Sequence, residues 1–524
     1  MDFLLALLSG ALLALSFPRY GHPAFAWIAL VPLLVALSSR RQSASRAFAL
    51  GLLTGSVYFV GTIYWTSAVL RTFGGLASPL ALLAMLLLAV YLALFPALTA
   101  LLLSRLLPRA GPRAMLLVPA VWVATEYLRG YLFGGFPWVP LGNSQVTVLP
   151  VAQLASVLGV YGLSALVAFV NGSLAYMLLA RGRARVVAGV AAALTLAAVG
   201  GWGAWRVADG RLTRAGIPLR VGLIQGNIAQ EDKWNPSEAR RIVTTYIAMT
   251  RDAVRRGAEF VVWPESSTPF MFEEDAAGAA ALRALAREVQ VPILFGSDQV
   301  DRSGDLIRLY NSAFLLTPKG ETGGVYRKIH LVPFGEYIPF KEWLYFVSPL
   351  VERLAEFAPG TSAVILPVGE HAVTTAICYE VVYPSLIRDA VLAGSQLLTT
   401  ITNDAWYGNS SAPYQHFELA SMRAIEQGRY LARSANTGIS GIVDPYGRVT
   451  TRSGLFEEVG LVGDVRMLTR RTIYAQVGDV IAHMAMALTA LALVAIVRRP
   501  GSEASDMRRA ADRAERRARG SRNR

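Results

Sequence analysis

The chain has 524 residues, of which 54% are hydrophobic and 16% charged, and its formal net charge is +14. That balance excludes a single soluble globule and implies a membrane protein with a sizeable water-exposed part. The single cysteine excludes an intrachain disulfide and a cysteine-based metal cluster, and the five histidines (His22, His330, His371, His416, His483) lack ligand spacing, so no metal site is expected.

Apolar stretches occupy residues 3–17, 24–38, 47–70, 79–103, 114–133, 151–179, 186–205 and 480–497. Most reach the about 20 residues that cross a bilayer core, so about eight transmembrane helices are expected. The first two are short and interrupted by Pro18 and Pro23, which leaves open a tight helical hairpin or one re-entrant element. Asp2 stands where a secretory signal carries base, and no small-x-small site follows, so this start reads as a span and not as a cleaved signal. Gly51 and Gly55 form a small-xxx-small pair suited to helix packing, and Glu126 and Arg129 sit at helical spacing, where they pair with each other or help bind a lipid head group, pairing being the preferred reading.

Arginines alternate between the loops. Arg40, Arg41 and Arg46 follow the second stretch, Arg105, Arg109 and Arg113 the fourth, and Arg181, Arg183 and Arg185 the sixth; the other loops carry Arg19, Arg71 and Arg129 singly. The positive-inside rule then puts the N-terminus in the cytoplasm and the segment after Trp205 outside. The expected organisation is a seven-span bundle over 1–207, an extracytoplasmic domain over 218–470, a last transmembrane helix at 478–497 and a disordered basic cytoplasmic tail at 498–524. The positive charge is therefore a topology determinant, and no nucleic-acid partner is expected.

Between about residues 219 and 470 short β-rich runs alternate with amphipathic ones. Strands are expected at 220–225, 260–263, 292–296, 312–316, 364–367, 373–378 and 397–402, with 439–443 closing the series. Helices are expected at 237–256, 276–289, 385–392 and 418–430. Such interleaving predicts a layered α/β domain with its own core.

Three residues in this domain could carry chemistry. Cys378, in Thr375-Ala-Ile-Cys-Tyr-Glu380, ends an apolar strand, where α/β domains place reactive groups; a small buried hydrophobe is the other reading. Glu265 ends the strand in Val261-Val-Trp-Pro-Glu265, and Lys328 lies in Tyr326-Arg-Lys-Ile-His-Leu-Val-Pro-Phe-Gly-Glu336. By itself, Glu265 reads equally as a surface carboxylate and Lys328 as an exposed base. Asn311 and Asn403 read as turn or scaffold residues.

In that order the three segments resemble the nitrilase superfamily of carbon–nitrogen hydrolases. Arg423-Ala-Ile-Glu-Gln-Gly-Arg429, Asn436-Thr-Gly438 and Asp444-Pro-Tyr-Gly447 strengthen the likeness. Spans before and after such a domain, with Phe136-Pro-Trp138, Leu141-Gly-Asn-Ser-Gln145 and Gly159-Val-Tyr-Gly-Leu-Ser164, resemble more closely its membrane branch, the apolipoprotein N-acyltransferases. The resemblance implies a nitrilase-like α-β-β-α sandwich and a Glu265–Lys328–Cys378 triad without cofactor or metal. It also implies Glu336 as support for the lysine, an oxyanion donor in the Tyr379 N–H, and Tyr379 and Glu380 at the pocket. Trp234 would lie on a loop over the site, its other reading being a core tryptophan. A phosphatidylethanolamine-like phospholipid would donate the acyl chain, the N-terminal diacylglyceryl-cysteine of an apolipoprotein would accept it, and the enzyme would act as a monomer in a bacterial inner membrane. A membrane-anchored amidohydrolase using the same residues and water is the alternative.

Overall fold

The computed structural model describes residues 1–39, 43–303, 307–333, 335–337 and 357–498. Arg40, Arg41, Phe334 and the basic tail from residue 499 lie outside them.

The N-terminal half is helical. Four helical stretches are long and apolar enough to cross a membrane: Ala44–Ile63, Ser78–Gly134, Ala155–Leu179 and Arg183–Arg214. The second contains two of the expected spans. Its helices Ser78–Ala110 and Val118–Tyr131 run antiparallel, with Thr99 hydrogen-bonded to Thr125 at 2.6 Å and the Tyr91 hydroxyl donating to the Leu132 carbonyl at 3.1 Å. The first two expected spans are the shorter helix Asp2–Ala14 and the apolar run Pro23–Leu37. Where that run breaks, the Asn171 amide takes up the loose backbone groups, donating to the Ala26 carbonyl and accepting from the Leu30 N–H. The last helix is Val480–Arg498.

Gly51 and Gly55 let helix Ala44–Ile63 lie against Ser78–Ala110. A Cβ at Gly51 would stand 2.6 Å from the Pro96 carbonyl oxygen, and one at Gly55 2.7 Å from the Ala93 Cα. Glu126 and Arg129 do not spend their hydrogen bonds on each other. Arg129 donates to the Phe136 and Trp138 carbonyls, while Glu126 accepts from the Trp122 indole and the Leu141 N–H. Both are buried, and these partners fix the Phe136–Leu141 segment.

The C-terminal half holds two six-stranded sheets. The first contains β1 (Ile217–Gln225), β2 (Phe260–Val262), β3 (Ile293–Asp301), β4 (Arg308–Leu316), β5 (Thr322–Arg327) and β12 (Val459–Met467), in the order β12-β1-β2-β3-β4-β5. The second contains β6 (Leu366–Val368), β7 (His371–Ile377), β8 (Leu397–Thr402), β9 (Leu431–Ala435), β10 (Gly441–Val443) and β11 (Val449–Arg452), in the order β11-β10-β9-β8-β7-β6. In each, three central strands run parallel and the flanking ones antiparallel.

Strand side chains alternate between faces. Val221, Leu223, Phe260 and Val262 of one sheet meet Val373, Ile377, Leu397 and Ile401 of the other in a shared core. The outward Val261, Phe295 and Phe314 pack with Ile242, Tyr246, Leu282 and Leu285 of helices Ala239–Arg255 and Ala276–Val289. Helices Pro384–Leu392 and Ala412–Gln427 cover the second sheet, which completes the expected α-β-β-α sandwich.

Four strands escape the sequence reading: β5, β9, β11 and β12. The series therefore does not close at residue 443; β12 returns to pair with β1 over its whole length. Helix 418–430 of the sequence reading begins earlier, at Ala412, and ends at Gln427, where Gly428 in the left-handed region (φ 60°) stops it.

The sandwich sits directly on the bundle. Helix Ala412–Gln427 is buried almost throughout, wedged between the second sheet and the membrane helices. Gln415 accepts from both the Trp65 and Trp138 indoles and donates to the Pro18 and Thr62 carbonyls. Glu426 accepts from the Val160 N–H beside Gly159, whose φ of 68° breaks helix Ala155–Leu179. Arg19 reaches Asn409 at 2.7 Å, and Phe73 packs edge-on against Trp406.

Candidate active site

The site forms at the carboxyl ends of the parallel strands, where adjacent loops diverge and leave room for a ligand. Glu265 follows β2 after Pro264, and Lys328 directly follows β5. Cys378 directly follows β7, and Asn403 directly follows β8.

Glu265 is 6% exposed. Its Oε1 accepts from the Asn311 amide at 2.7 Å and from the Lys328 ammonium at 3.4 Å, and its Oε2 accepts from the Asn403 N–H at 2.8 Å. Its main-chain carbonyl accepts from Lys233 Nζ at 3.1 Å. The turn passes so close to β3 that a Cβ at Gly296 would lie 2.7 Å from the Glu265 Cα, so only glycine fits there. Burial alone raises the pKa of this carboxyl. Lys328, the Asn311 hydrogen bond, Lys233 and the Asn403 N–H outweigh it, and the group ends below the usual glutamate range.

Lys328, 1% exposed, donates to Glu336 Oε1 at 2.8 Å as well as to Glu265. Burial opposes its charge, but the two carboxylates prevail and hold it above the ordinary lysine value. Glu336 is itself fixed by the Asn311 amide at 2.9 Å and the Val332 N–H at 2.8 Å. Among the described residues Asn311 thus bridges both carboxylates that hold the lysine. It lies inside β4 and not in a turn, so the scaffold reading of the sequence understates it.

Cys378 is buried, and its backbone takes φ 53°, a conformation that residues other than glycine adopt rarely. Such strain at a strand end projects a side chain away from the sheet. Burial pushes the thiol pKa up, the Glu265 charge pushes it further, and Lys328 with a Thr402 hydrogen bond only partly offsets them. Lysine alone does not make this sulfur a thiolate. Burial thus favours the neutral thiol, while the carboxyl beside it is held low and the lysine held high.

A measurable consequence follows. The rate of Cys378 alkylation by a small methanethiosulfonate is expected to climb with pH without levelling off below pH about 10, whereas an ordinary cysteine of pKa about 8.5 levels off near pH 9.5. Folding stability is expected to fall as pH rises above about 8.5, because the unfolded chain's thiol then ionises and the folded one does not. A plateau below pH 9 would show the thiolate already favoured.

Glu380 has no exposure, and protein donors saturate its carboxylate. Oε1 accepts from the Tyr326 hydroxyl and from the Ile329 and His330 N–H groups, and Oε2 from the Ile377 N–H. Burial pushes its pKa up to about 7 against those bonds. It ties the segment after Lys328 to the Cys378 turn. Tyr379 is buried and its ring lies nearly parallel to Trp138, 6.3 Å away, so the membrane segment Phe136–Trp138 backs the cysteine turn. Trp234 is 45% exposed, which removes the core-tryptophan reading. Its neighbour Lys233 is buried, with a pKa pulled down to about 8 by that burial.

Lys233, Asn311 and Asn403 are the residues that sequence reasoning missed or underrated. For Asn311 and Asn403 the available signal was a polar residue within or at the end of a buried strand, since a buried amide needs a partner; Lys233, in the loop after β1, carried no such signal.

Two facing sheets with helices outside, and a buried ion pair beside a cysteine at their strand ends, define a carbon–nitrogen hydrolase domain. Residues 220–474 match the family model described as carbon-nitrogen hydrolase, and residues 9–173 match the apolipoprotein N-acyltransferase N-terminal domain. An apolipoprotein N-acyltransferase of Geobacter metallireducens is 40% identical over 95% of this chain and 96% of its own length. One of Methylococcus capsulatus is 36% identical over 91% and 92%. The amidase of Nesterenkonia AN1, from the nitrilase superfamily, is a similar solved structure, 21% identical, with a TM-score of 0.39 over 51% of this chain and 96% of that one. The chain belongs to the apolipoprotein N-acyltransferase family.

Proposed function

We propose that this protein moves an acyl chain from a membrane phospholipid, through a thioester on Cys378, to the α-amino group of the diacylglyceryl-cysteine that begins an apolipoprotein. The observation that carries the reading is the buried Glu265–Lys328 ion pair beside Cys378 at the strand ends, in a site backed by membrane segments.

In the first half-reaction the Cys378 sulfur attacks the ester carbonyl carbon as its proton passes to the Glu265 carboxylate. Negative charge gathers on the carbonyl oxygen, and the Lys328 ammonium and the Tyr379 N–H stabilise it. Tyr379 lies in the first turn of the short helix Cys378–Val382, where backbone N–H groups have no partner within the helix. The carbon–oxygen bond breaks, the lysophospholipid oxygen takes the proton from Glu265, and a thioester remains. In the second half the amine attacks that carbonyl, Glu265 accepts the amine's proton, the carbon–sulfur bond breaks, and the sulfur recovers a proton from Glu265. Glu336 and Asn311 hold the lysine and the base in place throughout. Trp234, on an exposed loop beside Lys233, serves substrate binding.

The bundle keeps acyl chains beside the sulfur and limits water, which would otherwise hydrolyse the thioester. The arginine-poor loops around Arg19, Phe73 and Phe136 touch the sandwich, whereas Arg46 pairs with Asp2 at the start of the chain. With the positive-inside rule this supports a bacterial inner-membrane protein, its sandwich on the periplasmic side and its N-terminus in the cytoplasm. We also assign the spans to 1–207 and 478–497, the catalytic domain to 218–470, and the active unit to a monomer.

The test is intact-protein mass after incubation with phosphatidylethanolamine in detergent. An added acyl mass that hydroxylamine removes, and that passes to a diacylated lipopeptide as an amide, is the expected result. Release of free fatty acid without N-acylated peptide would assign hydrolysis instead.

A further inference from the structure

Next to the cysteine turn lies a cluster that the mechanism above does not use. His416, Asp404 and Arg433 have exposures of 0%, 1% and 0%. They come from helix Ala412–Gln427, the turn Asp404–Tyr407 after β8, and β9. His416 Nε2 lies 3.1 Å from the main-chain carbonyl oxygen of Cys378. A carbonyl oxygen only accepts, so Nε2 carries a proton and donates it there.

The other side of the imidazole is fixed as firmly. Nδ1 is 3.0 Å from Asp404 Oδ1 and 3.0 Å from Arg433 Nη2, and that same Nη2 donates to Asp404 Oδ2 at 2.9 Å. The Thr402 hydroxyl donates to Asp404, and Arg433 Nε donates to the Ile439 carbonyl. Trp138 and Tyr407 close around the ring, at 5.6 and 6.2 Å between centroids. A ring held in this way cannot follow the carbonyl; the carbonyl must follow the ring.

The carbonyl of Cys378 and the N–H of Tyr379 belong to one rigid peptide plane and point in opposite directions. Holding the first aims the second. The Cys378 backbone, at φ 53°, has a ready alternative in the ordinary negative-φ regions, and relaxing there would rotate this plane.

We propose that His416 is a positioning residue that locks the Cys378–Tyr379 peptide through its Nε2–H, so that the Tyr379 N–H faces the oxyanion formed at the sulfur. The proposal rests on the nucleophilic role given to Cys378 above. It makes the buried helix Ala412–Gln427 a mechanical link, since the same helix holds Trp65 and Trp138 through Gln415 one residue earlier.

Three variants of the full-length protein test it, with glutamine able to reach the carbonyl as Nε2 does and asparagine too short. His416→Leu is expected to lower kcat about 10²-fold with KM little changed, the loss that follows when one oxyanion donor is displaced. His416→Gln should recover most of that activity and His416→Asn should not. Turnover in folded His416→Leu close to wild type, or equal activity in the glutamine and asparagine variants, would overturn the proposal. If the variants do not fold, ring-¹⁵N-labelled histidine in the native enzyme decides by NMR: His416 must show a protonated Nε2, and a bare Nε2 overturns the assignment. Wild-type protein run alongside must form the hydroxylamine-labile adduct; failure there would strike the thioester reading and not the role of His416.

Discussion

Cys378→Ala is expected to abolish acyl transfer, with turnover down by at least about 10⁴-fold, the scale on which enzymes lose activity when a covalent nucleophile is deleted. The reason is specific to this site. Glu265 and Lys328 would remain paired, but without the sulfur the amine would have to attack the phospholipid ester directly. The variant should fold normally, because one small buried atom is lost and the Glu380 tie to the cysteine turn is unaffected. The assay is conversion of a diacylated lipopeptide to its N-acylated form by purified protein, with circular dichroism and thermal melting as the folding control. No acyl adduct should appear by mass. Transfer within tenfold of wild type in the folded variant would remove Cys378 from the mechanism.

Lys328→Met is expected to fail differently, by losing both activity and stability. The ammonium sits between Glu265 and Glu336, at 3.4 and 2.8 Å, with almost no exposure. Removing it leaves the buried Glu265 carboxylate facing the largely buried one of Glu336, with the shared Asn311 amide between them. Breaking a buried pair in this way costs about 3–5 kcal/mol, and here one or both carboxylates would take up a proton to limit the cost. A protonated Glu265 cannot accept the thiol proton, so turnover should fall by more than about 10³-fold even in the folded fraction, the combined loss of a base and an oxyanion donor. Lys328→Arg keeps the charge but not the compact geometry, and should rescue stability well and activity poorly. Chemical or thermal denaturation in a mild detergent, with the lipopeptide assay beside it, separates the two losses. A Lys328→Met protein as stable as wild type would mean that the carboxylates are not ionised together in the native state.

The four strands missed from the sequence show where local reading ends. β12 is a nine-residue strand whose partner β1 lies more than 230 residues earlier, so nothing nearby announces it. β9 reads Leu431-Ala-Arg-Ser-Ala435, with an arginine and a serine that look like a loop. Both are buried because Arg433 meets Asp404 and Ser434 donates to the Ile224 carbonyl, partners that only the folded chain supplies. The same holds for Asn311, whose Nδ2 finds Glu265 and Glu336 from two other segments.

By itself the sequence determined the membrane character, the alternation of basic loops and the layered α/β domain. Those features are written in composition, period and short motifs, which act over a few residues. Only the tertiary structure decided that Glu380 ties the Lys328 segment to the cysteine turn, that Asn311 bridges the two carboxylates, and that burial pushes the Cys378 thiol pKa up. It alone brought His416, 38 residues away, onto the Cys378 carbonyl. The physical reason is that hydrogen-bond partnership and desolvation depend on which distant segments share a small, dry volume, and no local pattern in the chain encodes that.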